Sequence, residues 1–244
     1  GGGGKGMRVV TNIDAAAADI EAAMREGRNS FADGRLLVEE FLPDARHVEV
    51  QILGDGQGKV LHLLERECSL QRRHQKVIEE APALNLPPAL RAQLLDSAVA
   101  LGRAVDYLGL GTVEFIVKDE RAFFLEVNPR LQVEHPVTEM ITGLDLIELQ
   151  ILATAGHGIA LAQDDITASG HAIEARIYAE DPAQNFMPST GNIDQLSLPH
   201  DGLRIDTGIA AGMAITPYYD PMVAKLIAHG KDRATALTRL VTGL

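Results

Sequence analysis

Between residues 126 and 134 the chain reads Glu126-Val127-Asn128-Pro129-Arg130-Leu131-Gln132-Val133-Glu134, with a polar or charged side chain at every second position. In an extended segment a period of two places all five polar groups on one face and the apolar set against a core. A solvated strand face gives the same alternation. Such faces, however, mix Thr, Lys and Glu, and this run leads into His135-Pro136, which breaks strand pairing. Glu114 is the only charge within Thr112–Val117, a stretch apolar enough to be buried on both faces. A buried carboxylate must protonate or meet a cation, because left charged and alone it is strongly destabilising. A hairpin sets Glu114 and Glu126 on adjacent strands, facing each other. With the Asn128 amide oxygen they form a hard oxygen set suited to Mg²⁺ or Mn²⁺ on phosphates rather than to zinc. An ion pair between Glu114 and a buried Arg or Lys is the competing reading.

Three further segments carry chemistry-capable groups. Gly1-Gly2-Gly3-Gly4-Lys5-Gly6 could seat backbone N–H groups against phosphate oxygens, since glycine permits close approach and positive φ; a flexible linker reads equally well. It is not a Walker motif, because no Lys-Ser/Thr pair closes it. Gln71-Arg72-Arg73-His74-Gln75-Lys76 is a basic run in an acidic chain, either a solvated face or an anion site. Arg176 interrupts the largely apolar Ala172–Ile177, where pairing with Glu174 competes with a functional role.

The elements that must position these groups follow from periodicity and turn residues. Ile13, Ala17, Ile20 and Met24 predict an amphipathic helix, and Leu36–Leu42 a strand ending at Pro43-Asp44. His47–Leu53 and Lys59–Leu64 flank the hairpin signal Gly54-Asp55-Gly56-Gln57-Gly58. Pro87-Pro88 opens a helix carrying Leu90, Leu94, Leu101 and Val105. Thr112–Val117 and Ala122–Val127 pair around Lys118-Asp119-Glu120, and Asp145 with Glu148 caps a helix running to about Ala155. From Gly170 onward strands dominate, with a last helix capped by Asp232. Strands that come as hairpins among helices favour an α+β fold with antiparallel sheets over a doubly wound parallel one.

Composition narrows the function classes. A formal net charge of -12 argues against nucleic-acid or anionic-membrane binding. No apolar run approaches the ~18–20 residues of a membrane span. The single cysteine, Cys68, excludes an internal disulfide and fits a buried free thiol in a reducing compartment. The chain starts on glycines without an initiator methionine and stops just after a helical pattern, so it is expected to be part of a longer protein.

Taken together, the segments GGGGKGMRVV, RHVEVQ, SLQRRHQKVIEEAP, GTVEF, LEVNPRLQVEHPVTEMITGLDL, GHAIEARIYAEDP and PYYDPMVAKLI resemble the biotin carboxylase family of the ATP-grasp fold. They run in order along the chain from residue 1 to about 230. The resemblance implies an ATP-grasp fold with antiparallel sheets, followed by a C-terminal biotin carboxylase domain. Residues 1–43 would be the remainder of the lid subdomain, 44–169 the catalytic subdomain and 170–244 a truncated C-terminal domain. An N-terminal domain, further ATP-contacting lysines, a biotin-attachment Met-Lys-Met and a carboxyltransferase region are expected elsewhere.

The resemblance also implies roles. Gly3 and Gly4 would contact ATP phosphates; Glu39, Glu40, Phe41 and Leu42 would form the hinge that reads adenine. His47 would lie near the ribose, with Gln71 and His74 also at the nucleotide. Lys76 would bind bicarbonate near the γ-phosphate. Glu114, Glu126 and Asn128 would hold Mg²⁺ or Mn²⁺, as two ions. Arg130, the Val133 backbone and Arg176 would bind bicarbonate, and Arg176 also the biotin ureido oxygen. Glu134 would be the general base. The implied partners are a biotin carboxyl carrier domain, a carboxyltransferase subunit and a second copy of the full-length chain. The implied compartment is the bacterial cytoplasm, or the mitochondrial matrix in a eukaryote. His135-Pro136-Val137-Thr138 and Arg204-Ile205-Asp206-Thr207-Gly208 lean toward acyl-CoA carboxylases of the methylcrotonyl-, propionyl- or acetyl-CoA type. Alternatives are a pyruvate or urea carboxylase, or a piece that binds nucleotide or packs on partner subunits without catalysis.

Overall fold

The computed structural model describes residues 7–199 and 202–244. Gly3, Gly4 and the rest of the glycine loop lie outside the described residues. Helix α1 (Ala16–Phe31) ends at Ala32, which takes a left-handed conformation. Leu36–Leu42, expected as a strand, is not one: Leu37 and Val38 are exposed and the segment joins no ladder. Branched side chains favour a strand only where a neighbour satisfies the backbone, and no described strand runs beside this segment.

Strands β1 (Arg46–Asp55) and β2 (Val60–Arg72) form the expected hairpin. The Asp55 carboxylate accepts from the Gln57 and Lys59 amides, and Gly56 and Gly58 take positive φ to turn the chain. Strand β3 (Gln75–Ala81) returns beside β2, and α2 (Pro88–Ala104) follows with proline in its first turn. Strands β4 (Leu108–Lys118) and β5 (Arg121–Asn128) are joined by Asp119 and Glu120, both at positive φ, as a tight hairpin turn requires. Helix α3 (His135–Thr142) precedes α4 (Leu146–Leu152). The Asp145 side chain caps α4 through the Glu148 amide, and a π-helical turn over Ala153–His157 prolongs it. After β6 (His171–Tyr178) come the two-residue bridges β7 (Glu180–Asp181), β8 (Met187–Pro188) and β9 (Gly191–Asn192). Strand β10 (Leu203–Thr207), the bridge β11 (Ala214–Ile215), β12 (Met222–Gly230) and α5 (Arg233–Gly243), capped by Asp232, complete the chain.

Eight strands form one antiparallel sheet in the order β10-β12-β6-β3-β2-β1-β4-β5. One face is apolar. Val48, Val50 and Ile52 of β1 and Val113, Phe115 and Val117 of β4 pack on Leu90, Leu94 and Ala98 of α2. Ile173, Ala175, Leu226 and Ala228 pack on Ala236 and Leu240 of α5. On the other face, Ala81, Ala172 and Ile227 meet Val137 and Ile141 of α3, while Leu53, Leu61, Leu63 and Leu110 meet Leu146 of α4. Between those two apolar patches the strands present ionisable side chains.

A bulge in β2 sets which ones. Val50 pairs with Glu65 but Ile52 with His62, so one extra residue sits on β2, and Leu64 absorbs it at a φ of 69°. The alternation therefore changes phase after Leu63. Arg66 then points to the face of Leu61 and Leu63, while Glu65 turns toward α2 and receives Arg91 at 3.0 Å.

Candidate functional site

Cross-strand neighbours bring the charges together. Glu49 of β1 lies opposite Arg66 of β2 and Glu114 of β4; Glu114 in turn lies opposite Glu126 of β5. On the other flank Glu79 of β3 faces Glu174 of β6, and Arg176 faces Lys225 of β12. Directly opposed residues share a sheet face, so the register gathers these strand-borne charges, to which Lys76 at the start of β3 and Glu134 at the head of α3 are added.

Lys76 is its hub. Its Nζ donates to Glu49 Oε2 at 2.5 Å, Glu134 Oε1 at 2.6 Å and Glu114 Oε1 at 2.7 Å, using all three protons. Burial disfavours the Lys76 charge, but Glu49, Glu134 and Glu114 more than offset that and raise its pKa. Arg176 donates from Nε to Glu79 at 2.6 Å and from Nη2 to Glu134 Oε2 at 3.1 Å. Glu134 is thus bracketed by two cations while remaining 2% exposed. Burial raises the Glu49 carboxyl, yet Arg66 and Lys76 outweigh burial and hold it at about 2. Glu114 is likewise raised by burial but held well below the usual carboxylate range by His47 and Lys76. Glu79 differs: burial dominates over Arg176 and pushes it up to about 7. Glu174 is also raised by burial, which Lys225 opposes only in part.

Arg66, fully buried, gives its five N–H groups to Glu49, Gln51, Thr138, Thr112 and Gln132. Breaking a buried pair from one side typically costs ~3–5 kcal/mol. We expect Arg66→Met to lower unfolding stability by about that amount, read by chemical denaturation; a loss below ~1 kcal/mol would show Lys76 alone compensates Glu49.

The structure gathers some of the residues expected from sequence and disperses others. His47 Nε2 lies 2.8 Å from Glu114 Oε2. Gln71 Nε2 sits 3.0 Å from His47 Nδ1, and donation there leaves the ring proton on Nε2, facing Glu114. The extended segment expected over Glu126–Glu134 is corrected: β5 stops at Asn128, and Glu134 is the N-cap of α3. Pro129 has no N–H to continue a ladder, and Pro136 is suited to a helix's first turn. Glu126 and Arg130 are therefore exposed, whereas Gln132 and Glu134 are buried. Arg130 reaches the Asn128 and Leu131 oxygens at 3.3 Å rather than the cluster. The run Gln71–Lys76 is a hairpin tip with Arg73 and His74 at positive φ. Arg72 bonds Glu180 and stacks 4.0 Å over the Phe186 ring, Arg73 bonds Asn185, and His74 is exposed. Glu39, Glu40 and Phe41 are exposed and Leu42 is half-buried, and none of these side chains has a polar partner among the described residues. Cys68 is the buried free thiol expected.

Sequence reasoning missed Glu49, Arg66, Glu79 and Lys225, and weighed Glu174 only as a partner for Arg176. Glu49 and Lys225 carried a legible signal, a lone charge in an apolar strand; Arg66 did not, because its orientation depends on the bulge.

The donors that converge within 4.8 Å of one another here are His47, Glu49 and Glu114, while the Asn128 amide oxygen accepts from Arg130. Glu114 is held as an anion, Glu126 opposes it across the ladder, and Asn128 Nδ2 donates to Glu114 Oε1 at 3.0 Å, placing the amide beside it.

Residues 1–163 match the family model described as carbamoyl-phosphate synthase L chain, ATP binding domain, and residues 174–244 match the biotin carboxylase C-terminal domain. The chain is 51% identical over 243 residues to the methylcrotonoyl-CoA carboxylase subunit alpha, mitochondrial, of Rattus norvegicus, covering 98% of this chain and 34% of that one. It is 50% identical over 248 residues to the propionyl-CoA carboxylase alpha chain, mitochondrial, of Mus musculus, covering 100% and 34%. The chain thus spans about a third of the length of the curated relatives it matches. Among solved structures, the biotin carboxylase domain dimer of Hydrogenobacter thermophilus 2-oxoglutarate carboxylase, in complex with MgADP, ADP and bicarbonate, superposes with a TM-score of 0.96 at 42% identity, covering 100% of this chain and 54% of that one.

Proposed function

The chain belongs to the biotin carboxylase family, and on that footing we propose that it carries the ATP- and bicarbonate-dependent carboxylation of biotin on a carrier domain. The observation that carries this reading is the position of Glu134, a buried carboxylate held between Lys76 and Arg176 and sharing Lys76 with Glu114. Bicarbonate is a weak nucleophile, and it attacks the γ-phosphorus of ATP as its proton passes to Glu134 and ADP leaves. Lys76 and Arg130 bind the anion; Lys76 exchanges one of its carboxylate partners for it. The product, carboxyphosphate, breaks into CO₂ and phosphate, and the phosphate takes the ureido N–H proton as biotin nitrogen attacks CO₂. Arg176 faces the ureido oxygen, where negative charge develops only in that step. Water must be kept out while carboxyphosphate survives, a task for a closing lid that includes Gly3 and Gly4. Adenine is read by Glu39–Leu42, with His47, Gln71 and His74 lining the nucleotide and the Val133 backbone lining bicarbonate.

Glu114, Glu126 and Asn128 would hold Mg²⁺ or Mn²⁺, which when bound would offset phosphate charge. We expect Glu114→Gln to raise the metal concentration needed for half-maximal ATP cleavage by about tenfold or more. Unchanged metal dependence would remove Glu114 from the ligand set.

The acyl-CoA assignment, of the methylcrotonyl-, propionyl- or acetyl-CoA type, rests on His135–Thr138 and Arg204–Gly208. In that setting the partners are a carrier domain, a carboxyltransferase subunit and a second copy of the full-length chain. A reducing compartment, bacterial cytoplasm or mitochondrial matrix, suits the free thiol of Cys68. The test is carboxybiotin formation from labelled bicarbonate by the complete enzyme, with ADP release followed in parallel. ADP release that needs bicarbonate and rises with biotin supports the reading; ADP release indifferent to both overturns it.

A further inference from the structure

Lys225 enters none of the steps above, yet it is a buried cation aimed at the segment that carries Glu134. It belongs to β12, a strand whose other inward residues are apolar, and only 9% of it is exposed. Its Nζ donates to the Val133 carbonyl, 92 residues away in sequence. Two carboxyl groups lie near without competing for that bond: Asp206 Oδ2 at 3.6 Å, kept anionic by Arg204 and Lys225, and the buried Glu174 Oε2 at 3.9 Å. Neither Glu174 oxygen has a hydrogen-bond partner among the described residues.

The Val133 carbonyl belongs to the peptide plane that leads into Glu134. Fixing that oxygen fixes the rotation of the plane and the direction in which Glu134 leaves the chain. The loop needs such a tie. Between Asn128 and α3 it has no ladder partner among the described residues, and Pro129 withdraws an amide from it. Arg66 holds the loop through Gln132 on one side, whereas on the β12 side Lys225 is the side chain that grips its backbone.

We propose that Lys225 is a positioning residue for Glu134, setting the base through the Val133 carbonyl from the C-terminal part of the sheet. This rests on the reading of Glu134 as the base. Misplacing a reacting group by about 1 Å costs on the order of 10²-fold in rate. In the complete enzyme, Lys225→Met therefore lowers kcat for bicarbonate-dependent ATP cleavage roughly tenfold to a hundredfold, with the KM for ATP nearly unchanged. Lys225→Arg, which restores a donor and a charge, recovers most of that loss. Rates are expressed per nucleotide-binding site, counted by ADP titration, so that a misfolded fraction does not pass for a slow one. If Lys225→Met keeps its kcat per site, or Lys225→Arg is no better than Lys225→Met with both binding ADP normally, the proposal is wrong. Glu134→Gln run alongside separates the two ideas. Full activity there overturns the base assignment and this inference with it, whereas an inactive Glu134→Gln beside an unimpaired Lys225→Met overturns this inference alone.

Discussion

In the complete enzyme Glu134→Gln lowers bicarbonate-dependent ATP cleavage by ~10²–10⁴-fold, the range of a general base, while nucleotide affinity stays nearly unchanged. The substitution is informative because it removes the proton acceptor and leaves the architecture supported. Lys76 keeps Glu49 and Glu114, and Arg176 keeps Glu79, so neither cation is orphaned. Glutamine also retains an oxygen for the Lys76 bond. A folding defect would surface as lost nucleotide binding, and a lost base would not. A decline of less than about tenfold would remove Glu134 from the role.

Arg176→Ala should separate the two half-reactions. An electrostatic stabiliser of charge that appears only in one step contributes ~2.7–4 kcal/mol, or 10²–10³ in rate. Carboxybiotin formation should fall by about that factor, whereas slow bicarbonate-dependent ATP cleavage without biotin falls far less. The sheet tolerates the loss, because Glu79, already pushed up to about 7 by burial, takes a proton when Arg176 no longer holds it down. Glu134 keeps Lys76. Equal losses in both assays would assign Arg176 to bicarbonate or to general geometry instead.

Much of this arrangement was legible before any coordinates. Hairpin turns, the proline-opened α2 and the Asp145 and Asp232 caps are local signals, and each produced the element expected. The antiparallel sheet followed from strands arriving in pairs. Glu114 was marked by being alone in an apolar strand, and it is indeed met by a buried lysine, by His47 and by the amide nitrogens of Asn128 and Gln132. What failed was reasoning that carried one periodicity too far. Pro129 and Pro136 turn the Glu126–Glu134 run from strand into loop and helix start, so the shared face exists only up to Asn128. Leu36–Leu42 failed for the opposite reason, since a strand pattern describes side chains and not the neighbour a backbone needs. The cluster's far members were beyond reach because contacts such as Lys225 to Val133 join residues 92 apart in sequence and depend on sheet order.

The extra residue at Leu64 works as a frameshift confined to one strand. Upstream of it, β2 is read in one phase and places Leu61 and Leu63 beneath α4; downstream it is read in the other and delivers Arg66 beside Glu49. Inserting one further residue there would leave the composition of β2 almost untouched but exchange inside for outside along half its length. Arg66 would turn toward the apolar α2 layer and Glu65 would face Glu49, trading a buried ion pair for a buried repulsion. β2 is therefore far more sensitive to a change in length than to a change in letters.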